Sequence, residues 1–381
     1  MPQLVQIALY VYLYVDLQQK KILRFFRFRR IIVPVLLGVG VATYLLVRNF
    51  DREAFAQISW TTDSYLSLFL SLLLMAVRDI AYMYRLRVLT DWQLSWRRSF
   101  QVIMLWEFAS AVTPSIIGGS AIALYIINRE GVSMGRTTAI VLITAFLDEL
   151  FYILMAPVML TWLGPSSLFT SEGAYVLIDS RFGVQGVFAG GYLFILVLTT
   201  IIIYGVFVNP RGLKYILLYI FRLPILRRWR TKAAETGNEI IITSSEMKEK
   251  PASYWLQAFA GTFLSWTARF WVVNALIMAF ATVSLADHLL IYGRQLVMWV
   301  ILLISPTPGG SGVAELVFGG FLGEFIPVGL TPAMALLWRL VSYYPYLFIG
   351  AIILPGWLKR VYARKPKRSQ QPQDPQLPRP V

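Results

Sequence analysis

Runs of apolar residues long enough to cross a bilayer constrain this chain more than any other feature. A helix needs about 20 mostly apolar residues to span the hydrocarbon core. Six such runs lie at residues 31–48, 64–84, 137–163, 183–208, 253–283 and 332–354. The composition agrees, because 57% of the 381 residues are hydrophobic and only 14% are charged, against about 25% charged in soluble proteins. The sequence therefore predicts an all-α polytopic membrane protein.

Two further apolar stretches, residues 100–127 and 288–326, are each interrupted near the middle. The first interruption reads TPSIIGGS at residues 113–120, and the second reads SPTPGGSG at residues 305–312. Proline and glycine in tandem stop a helix, and non-helical backbone at membrane depth survives only inside protein or beside a watery cavity. We predict two broken re-entrant helical hairpins. A single kinked span or a pair of short spans is the alternative in each case.

The basic residues are concentrated in a few connecting segments. Of the 35 Lys and Arg, 28 lie in residues 17–30, 85–98, 128–136, 209–250 and 356–381. The other connections hold only Arg48, Arg52 and Arg181. Six spans and two hairpins place every basic stretch on one side, which the positive-inside rule makes cytoplasmic. This predicts a multi-pass protein of the cell inner membrane with both termini in the cytoplasm. The hairpins then enter from opposite faces, as in an inverted repeat.

The chain divides into three predicted parts. Residues 1–30 form a cytoplasmic or interfacial segment, residues 31–355 the transmembrane domain, and residues 356–381 a basic, Pro-rich cytoplasmic tail without fixed structure. Within the second part, residues 209–252 are cytoplasmic. They begin with an amphipathic helix between Arg211 and Arg230 that ends near Pro224 and favours an anionic membrane surface.

Several kinds of chemistry are excluded by what the chain lacks. It has no cysteine and one histidine, His288, so disulfides and thiolate metal sites are excluded and little material remains for a zinc site or a histidine relay. We predict no metal and no cofactor. The net charge of +15 would suggest nucleic acid for a soluble protein, but in so apolar a chain it indicates topology, and no nucleic-acid partner is predicted.

Charged residues inside the apolar segments are the strongest functional candidates. The basic ones are Arg78, Arg269, Arg294 and Arg339. The acidic ones are Asp79, Glu107, Asp148, Glu149, Glu315 and, near an edge, Glu324. A charge at the bilayer centre costs on the order of 3 kcal/mol, so such residues usually face a cavity or a partner. Their slight acidic excess suits a zwitterionic or cationic head group better than the net charge of the chain suggests.

Each of these charges also has a simpler interpretation. Arg78 and Arg294 lie about two turns from segment ends, so their side chains could extend to the interface. Asp79 follows Arg78, but neighbours point about 100° apart on a helix, so they are not simply each other's partner. For the deep Arg269 and Arg339 the alternative is a structural ion pair with an acid of the third span. Those acids are Asp148 and Glu149.

Both interrupted stretches carry a second signal. A half-helix that starts near Ser120 or Gly312 leaves unpaired N–H groups and a partial positive charge inside the membrane, which favours phosphate or carboxylate. The candidate binding residues at the breaks are Thr113, Pro114, Gly118, Gly119, Ser120, Thr307, Pro308, Gly309, Gly310, Ser311 and Gly312. Glu315 could instead cap its half-helix, and the glycines could serve ordinary helix packing. Tyr343 shares a helix face with Arg339.

The broken segments also carry a family resemblance. The chain reads TPSIIGGSAIALYIINREGVSMGRTTAIVLITAFLDEL at residues 113–150 and SPTPGGSGVAELVFGGFLGEFIPVGLTPAMALLWRLVSYY at residues 305–344. Together with the Arg78 region, these resemble the lysylphosphatidylglycerol synthase transmembrane (flippase-like) family over residues 31–354. That family includes the flippase portion of multiple peptide resistance factors. Its bifunctional members continue into an aminoacyl transferase, whereas only 26 residues follow Pro355 here. The resemblance thus implies lipid translocation rather than aminoacyl-lipid synthesis.

The leading hypothesis is a flippase-like transporter that moves a phosphate-bearing lipid between leaflets. Arg269, Arg339 and the half-helix N-termini would hold the phosphate of an anionic or zwitterionic phospholipid. Glu107, Asp148, Glu149 and Glu315 would hold a cationic part of the head group, such as an aminoacyl group, or carry coupling protons. A polyprenyl-linked or hopanoid lipid is the alternative substrate. No ATP-binding motif is present, so movement is downhill, ion-coupled or assisted.

The sequence is compatible with two other function classes. An intramembrane enzyme could use Ser311 of GGSG as nucleophile with His288 as base, although the preceding PTP does not suit rhomboid-type proteases and no domain for an activated donor is visible. A membrane partner could recruit a lipid-synthesis enzyme through its basic loops. Homo-oligomerisation is compatible with all three hypotheses.

Overall fold

The computed structural model describes residues 60–112, 116–169, 183–220, 230–303 and 312–363, together with Arg222 and a few isolated positions before residue 60. Across these residues the backbone is almost entirely helical. The α-helices in chain order are α1 (Thr62–Leu89), α2 (Trp96–Val112), α3 (Ile116–Arg129), α4 (Met134–Leu163), α5 (Pro165–Leu168), α6 (Gly183–Ile203), α7 (Pro210–Ile220), α8 (Arg230–Lys248), α9 (Ala252–Met278), α10 (Leu285–Leu303), α11 (Val313–Leu322), α12 (Thr331–Ser342) and α13 (Tyr344–Ala363). A π-helical turn, Tyr204–Val208, extends α6.

The prediction of an all-α polytopic membrane protein is confirmed. Among the described residues, five helical segments are long and apolar enough to cross a bilayer. They are α1, α4, Gly183–Val208, Leu285–Leu302 and Thr331–Tyr362. The first predicted span, residues 31–48, lies almost wholly outside the described residues. The span predicted at residues 253–283 is α9, a helix of 27 residues and about 40 Å, which packs along α1.

The two predicted hairpins differ from each other in the structure. In the first, α2 and α3 have 17 and 14 residues. In the second, α10 has 19 residues, enough for a full span, whereas α11 has only 10. The second segment is therefore a span followed by a half-helix rather than a pair of half-helices. The inverted repeat stays a prediction.

The breaks fall where the Pro/Gly clusters predict them, with one correction. Thr113 and Pro114, and the run Thr307–Ser311, lie outside the described residues. The helix expected to start near Ser120 already starts at Ile116, so Gly118, Gly119 and Ser120 lie within its first turns. Helical glycine is tolerated because α3 approaches α2 closely there: a Cβ on Gly119 would lie 2.0 Å from Ser110 Oγ. Packing, the simpler interpretation, therefore explains Gly119.

The cytoplasmic segment predicted at residues 209–252 contains two helices rather than one. The amphipathic helix forms as α7 and ends at Ile220, with Tyr215, Ile216 and Tyr219 exposed. The sequence does not predict the second helix, α8, because it lacks a run of apolar residues long enough to cross a bilayer. It packs on α4, where Glu239 Oε2 accepts a hydrogen bond of 2.5 Å from the backbone N–H of Gly135.

Four of the basic stretches meet at one end of the helix bundle. Asp91, after α1, pairs with Arg136 at the start of α4 and with Lys250 before α9. The fully buried Glu130, after α3, pairs with Arg360 near the end of α13. This clustering agrees with the basic stretches sharing one side of the membrane. Which side that is rests on the positive-inside rule.

An aromatic cluster between α4 and α9 fixes the middle of the bundle. The rings of Tyr152 and Trp266 lie 5.1 Å apart, and those of Phe151 and Trp266 lie 6.1 Å apart. All three side chains are buried. Because Phe151 and Tyr152 are one turn from Asp148 and Glu149, this packing sets the direction in which the two carboxylates point.

Candidate functional site

A cavity of about 330 Å³ lies inside the helix bundle. It is bordered by α1, α2, α4, α9, α10, α12 and α13, and also by Ser120 of α3 and Ala314 of α11. On α4 its lining residues begin at Val141, and on α1 they reach Leu86, three residues before the helix ends. The cavity therefore extends from the middle of the bundle toward the end that carries the basic loops. Its charged lining residues are Arg85, Glu107, Asp148, Glu149, Arg269 and Arg339.

Arg78 lies behind the cavity wall and connects three helices. Its side chain is 1% exposed, so it does not extend to the interface. The guanidinium lies 2.5 Å from Glu107 Oε1 on α2 and donates a hydrogen bond of 2.6 Å to the Tyr346 hydroxyl on α13. It also pairs with Asp79 at 2.8 Å, although adjacent residues were predicted not to be simple partners. Arg78 and Asp79 point about 100° apart on the helix, but the Arg78 side chain is long enough to contact Asp79 and Glu107 together.

The second ion pair joins α1 to α4 and includes Arg85, which the sequence pattern places in a basic connecting segment. Arg85 Nη1 lies 2.5 Å from Asp148 Oδ1 and donates to Thr262 Oγ1 on α9 at 3.0 Å. Trp266 Nε1 donates to the same carboxylate oxygen at 2.9 Å. Asp148 therefore pairs with Arg85, and the alternative that it pairs with Arg269 or Arg339 is wrong for this conformation.

The third ion pair holds the broken segment before α11. Glu315 Oε2 accepts a hydrogen bond of 2.6 Å from the N–H of Gly312, so the predicted helix cap is present. Its other oxygen lies 3.1 Å from Arg339 Nε. Gly312 has φ +86°, a conformation that glycine adopts without the Cβ penalty of other residues. One carboxylate thus fixes the start of α11 to the end of α12.

Arg269 and Glu149 differ from the other charges of the cavity. The guanidinium carbon of Arg269 lies over two indole rings, 4.8 Å from the Trp299 centroid and 5.3 Å from that of Trp266. Glu149 Oε2 is buried and accepts no hydrogen bond from the residues that the structure describes. Among the described residues, neither Arg269 nor Glu149 forms an ion pair.

Aromatic side chains form much of the remaining wall. They are Tyr82, Trp106, Tyr152, Trp266, Trp299, Trp338, Tyr343 and Tyr346. The Arg339 guanidinium lies 3.8 Å above the Tyr343 ring, as their shared helix face predicts. Amphipathic aromatic rings combine apolar contact with hydrogen-bonding and cation-binding capacity. The cavity can therefore accommodate a group that is partly apolar and partly charged.

The remaining charged candidates lie away from the cavity. Arg294 pairs with Glu324 at 2.8 Å near the opposite end of the bundle. His288 Nδ1 lies 2.8 Å from Asn274 Oδ1, and its ring stacks on Trp271. The proposed nucleophile Ser311 lies outside the described residues. No group of three or more potential metal ligands occurs among the residues that the structure describes.

Two parts of the site do not follow from the sequence. Arg85 was counted as topogenic because it lies near the end of a span and begins a basic stretch. The tryptophans Trp106, Trp266, Trp299 and Trp338 were not singled out, since aromatic residues are common in any membrane helix. A usable signal was present for Trp266 and Arg269, which lie three residues apart and therefore on one helix face.

Replacing Asp91 with asparagine should destabilise the loop end of the bundle. Burial raises the pKa of Asp91, but hydrogen bonds from Lys250 and Arg136 and their charges outweigh it and hold the pKa below its usual value. The stabilisation is therefore present above about pH 4 and is lost as the pH falls through the folded-state value. We expect a loss of about 1 kcal/mol at pH 7, and a smaller difference at pH 3.

Thermal unfolding of the detergent-solubilised protein at both pH values measures this difference. Asp91 has φ +47°, which asparagine also tolerates, so the substitution tests the charge rather than the backbone. The exposed acid Glu235 provides the control variant Glu235→Gln. An Asp91→Asn variant equal to wild type at pH 7 would contradict the assignment.

Comparison with known proteins agrees with these features. A family model for the lysylphosphatidylglycerol synthase TM region matches residues 31–350. A UPF0104 membrane protein of Archaeoglobus fulgidus is 23% identical over 335 residues, which cover 84% of this chain and 94% of that protein. The matched region includes the cavity and all of its charged lining residues. The chain therefore belongs to the lysylphosphatidylglycerol synthase TM region family.

Proposed function

We propose that this protein moves a phosphate-bearing lipid between the leaflets of a cell membrane. The observation that carries the proposal is the cavity, which combines charged and aromatic walls inside a bundle of membrane helices. A polar head group cannot cross hydrocarbon without losing its hydration, and fixed charges can replace the lost water. The family description, which names a lipid, supports the same class of substrate.

The size of the cavity supports binding of the head group alone. A volume of about 330 Å³ is at the lower end of the range for small-molecule sites. It has room for a phosphate with a small substituent but not for two acyl chains. The chains therefore stay in the bilayer while the head group passes through the bundle.

Arg269 is the residue best placed to bind the phosphate. Its guanidinium lies over the rings of Trp266 and Trp299 and forms no ion pair among the described residues, which leaves its N–H donors available to a phosphate. Arg339 contributes a second cation to the cavity wall, next to the half-helix α11. A zwitterionic or aminoacylated phospholipid would in addition satisfy the acidic residues of the cavity.

Replacing Arg269 with glutamine should slow lipid movement at least tenfold, because one charge-assisted phosphate contact contributes about 1.5–3 kcal/mol. The protein is reconstituted into liposomes with a fluorescent phospholipid, and labels that reach the outer leaflet are quenched by an impermeant reagent. Arg211→Gln, on the exposed surface of α7, is the matched control and should behave as wild type.

Two results would reject this function. One is wild-type protein that moves no phospholipid, polyprenyl-phosphate lipid or hopanoid faster than empty liposomes do. The other is an Arg269→Gln variant as active as Arg211→Gln. Lipids that co-purify with the protein, identified by mass spectrometry, would define the head group. They would also separate transport from a role as partner of a lipid-synthesis enzyme.

A further inference from the structure

The carboxyl group of Glu149 is unlike every other buried acid around the cavity. Asp79 and Glu107 are paired with Arg78, Asp148 with Arg85, and Glu315 with Arg339. Glu149 lines the cavity with one oxygen buried, and nothing among the described residues donates a hydrogen bond to that oxygen. A charged carboxylate in this position would have one buried oxygen without a hydrogen bond from the described residues, and no counter-ion among them.

The groups facing the cavity do not supply the missing partner. The titratable and charged ones are Tyr82 and Arg85 on α1, Glu107 on α2, Asp148 and Tyr152 on α4, Arg269 on α9, Arg339 on α12, and Tyr343 and Tyr346 beyond it. Arg85 and Arg339 are already paired, and Arg269 lies over two tryptophans. The nearest charge along the helix is Asp148, which is acidic and so opposes a second negative charge.

We propose that Glu149 carries a proton in this conformation and that lipid movement is coupled to its release and uptake. The coupling rests on the proposed function. A neutral acid avoids the cost of an unpaired charge at membrane depth. When water or a cationic part of the head group reaches the buried oxygen, it stabilises the carboxylate, and the proton passes from that oxygen to water. Uptake from water at the other membrane face restores the O–H bond, so each cycle transfers one proton.

Infrared spectroscopy tests the protonation without any assay of transport. Purified wild-type protein in lipid nanodiscs at pH 7 should show the C=O absorption of a protonated carboxylic acid, and raising the pH should remove it. Glu149→Gln should lack this absorption. Glu235→Gln, which replaces an exposed acid on α8, should retain it. A wild-type spectrum without the absorption, or one that Glu149→Gln leaves unchanged, overturns the proposal.

A transport measurement then tests the coupling. Liposomes with a pH difference of two units should move the fluorescent phospholipid several-fold faster or slower than liposomes without it, depending on the direction of the gradient. In Glu149→Gln the rate should be independent of the gradient. If the wild-type rate of lipid movement does not depend on the gradient, the proposed coupling is wrong, but the proposed protonation of Glu149 is not affected. Wild-type protein that moves no lipid rejects the proposed function, and with it the coupling, while the infrared result still decides the protonation.

Discussion

Replacing Arg78 with methionine should lower the free energy of unfolding by about 3–5 kcal/mol. Its side chain is 1% exposed and neutralises both Asp79 and Glu107. Methionine fills much of the same volume, so the main effect is to leave two acids at membrane depth without a cation. Because these acids are 21% and 25% exposed, water in the cavity relieves part of the cost, and the lower end of the range is expected.

A second substitution separates the charge effect from lost packing. In the double variant Arg78→Met/Glu107→Gln one of the two unpaired charges is gone, so part of the stability should return. Denaturation in detergent, followed by tryptophan fluorescence, measures each variant. Arg97→Met changes an exposed arginine and serves as the control. Arg78 also lies over the Tyr82 ring, 4.6 Å from its centroid. A double variant no more stable than Arg78→Met would mean that Arg78 acts through its contacts with Tyr82 and Tyr346 instead.

The span pattern and the positions of the breaks could be predicted from the sequence because they depend on local properties. Hydrophobic length determines whether a helix can cross the bilayer, and Pro/Gly clusters interrupt a helix wherever they occur. Helix α8 could not be found in this way. Its stability depends on docking to α4 through Glu239 and Gly135, a contact between residues about 100 positions apart.

The partners of the buried charges could not be predicted for the same reason. The sequence indicates that Asp148 needs a cation, and it offers the deep Arg269 and Arg339 as candidates rather than Arg85, which begins a basic connecting segment. The choice depends on α9 packing against α1 at Gly261, where a Cβ would lie 3.2 Å from Ala81 O. This close approach brings Thr262 against Arg85 and fixes the guanidinium toward Asp148. Charge at membrane depth predicts a site, whereas pairing within the site follows from helix packing.

Replacing Arg339 with methionine should both destabilise the protein and slow lipid movement. The partner acid Glu315 is 3% exposed and would keep its hydrogen bond from Gly312 but lose its counter-ion. Leaving one member of such a pair buried costs about 3–5 kcal/mol. The cavity would also lose one of the two cations proposed to bind phosphate, which predicts at least a tenfold lower rate of movement.

The double variant Arg339→Met/Glu315→Gln distinguishes a structural pair from a binding site. Glutamine keeps an oxygen that can accept the hydrogen bond from Gly312, and its neutrality removes the unpaired charge, so unfolding in detergent should show stability near that of wild type. Lipid movement in liposomes should stay at least tenfold slow, because stability is restored but the cation is not. If the rate of lipid movement recovers together with stability, Arg339 only holds α11 to α12, and Arg269 alone binds the phosphate. If neither recovers, the pair is needed in its charged form to close the bundle around the cavity, and the low rate would then reflect a misfolded site rather than a missing phosphate contact.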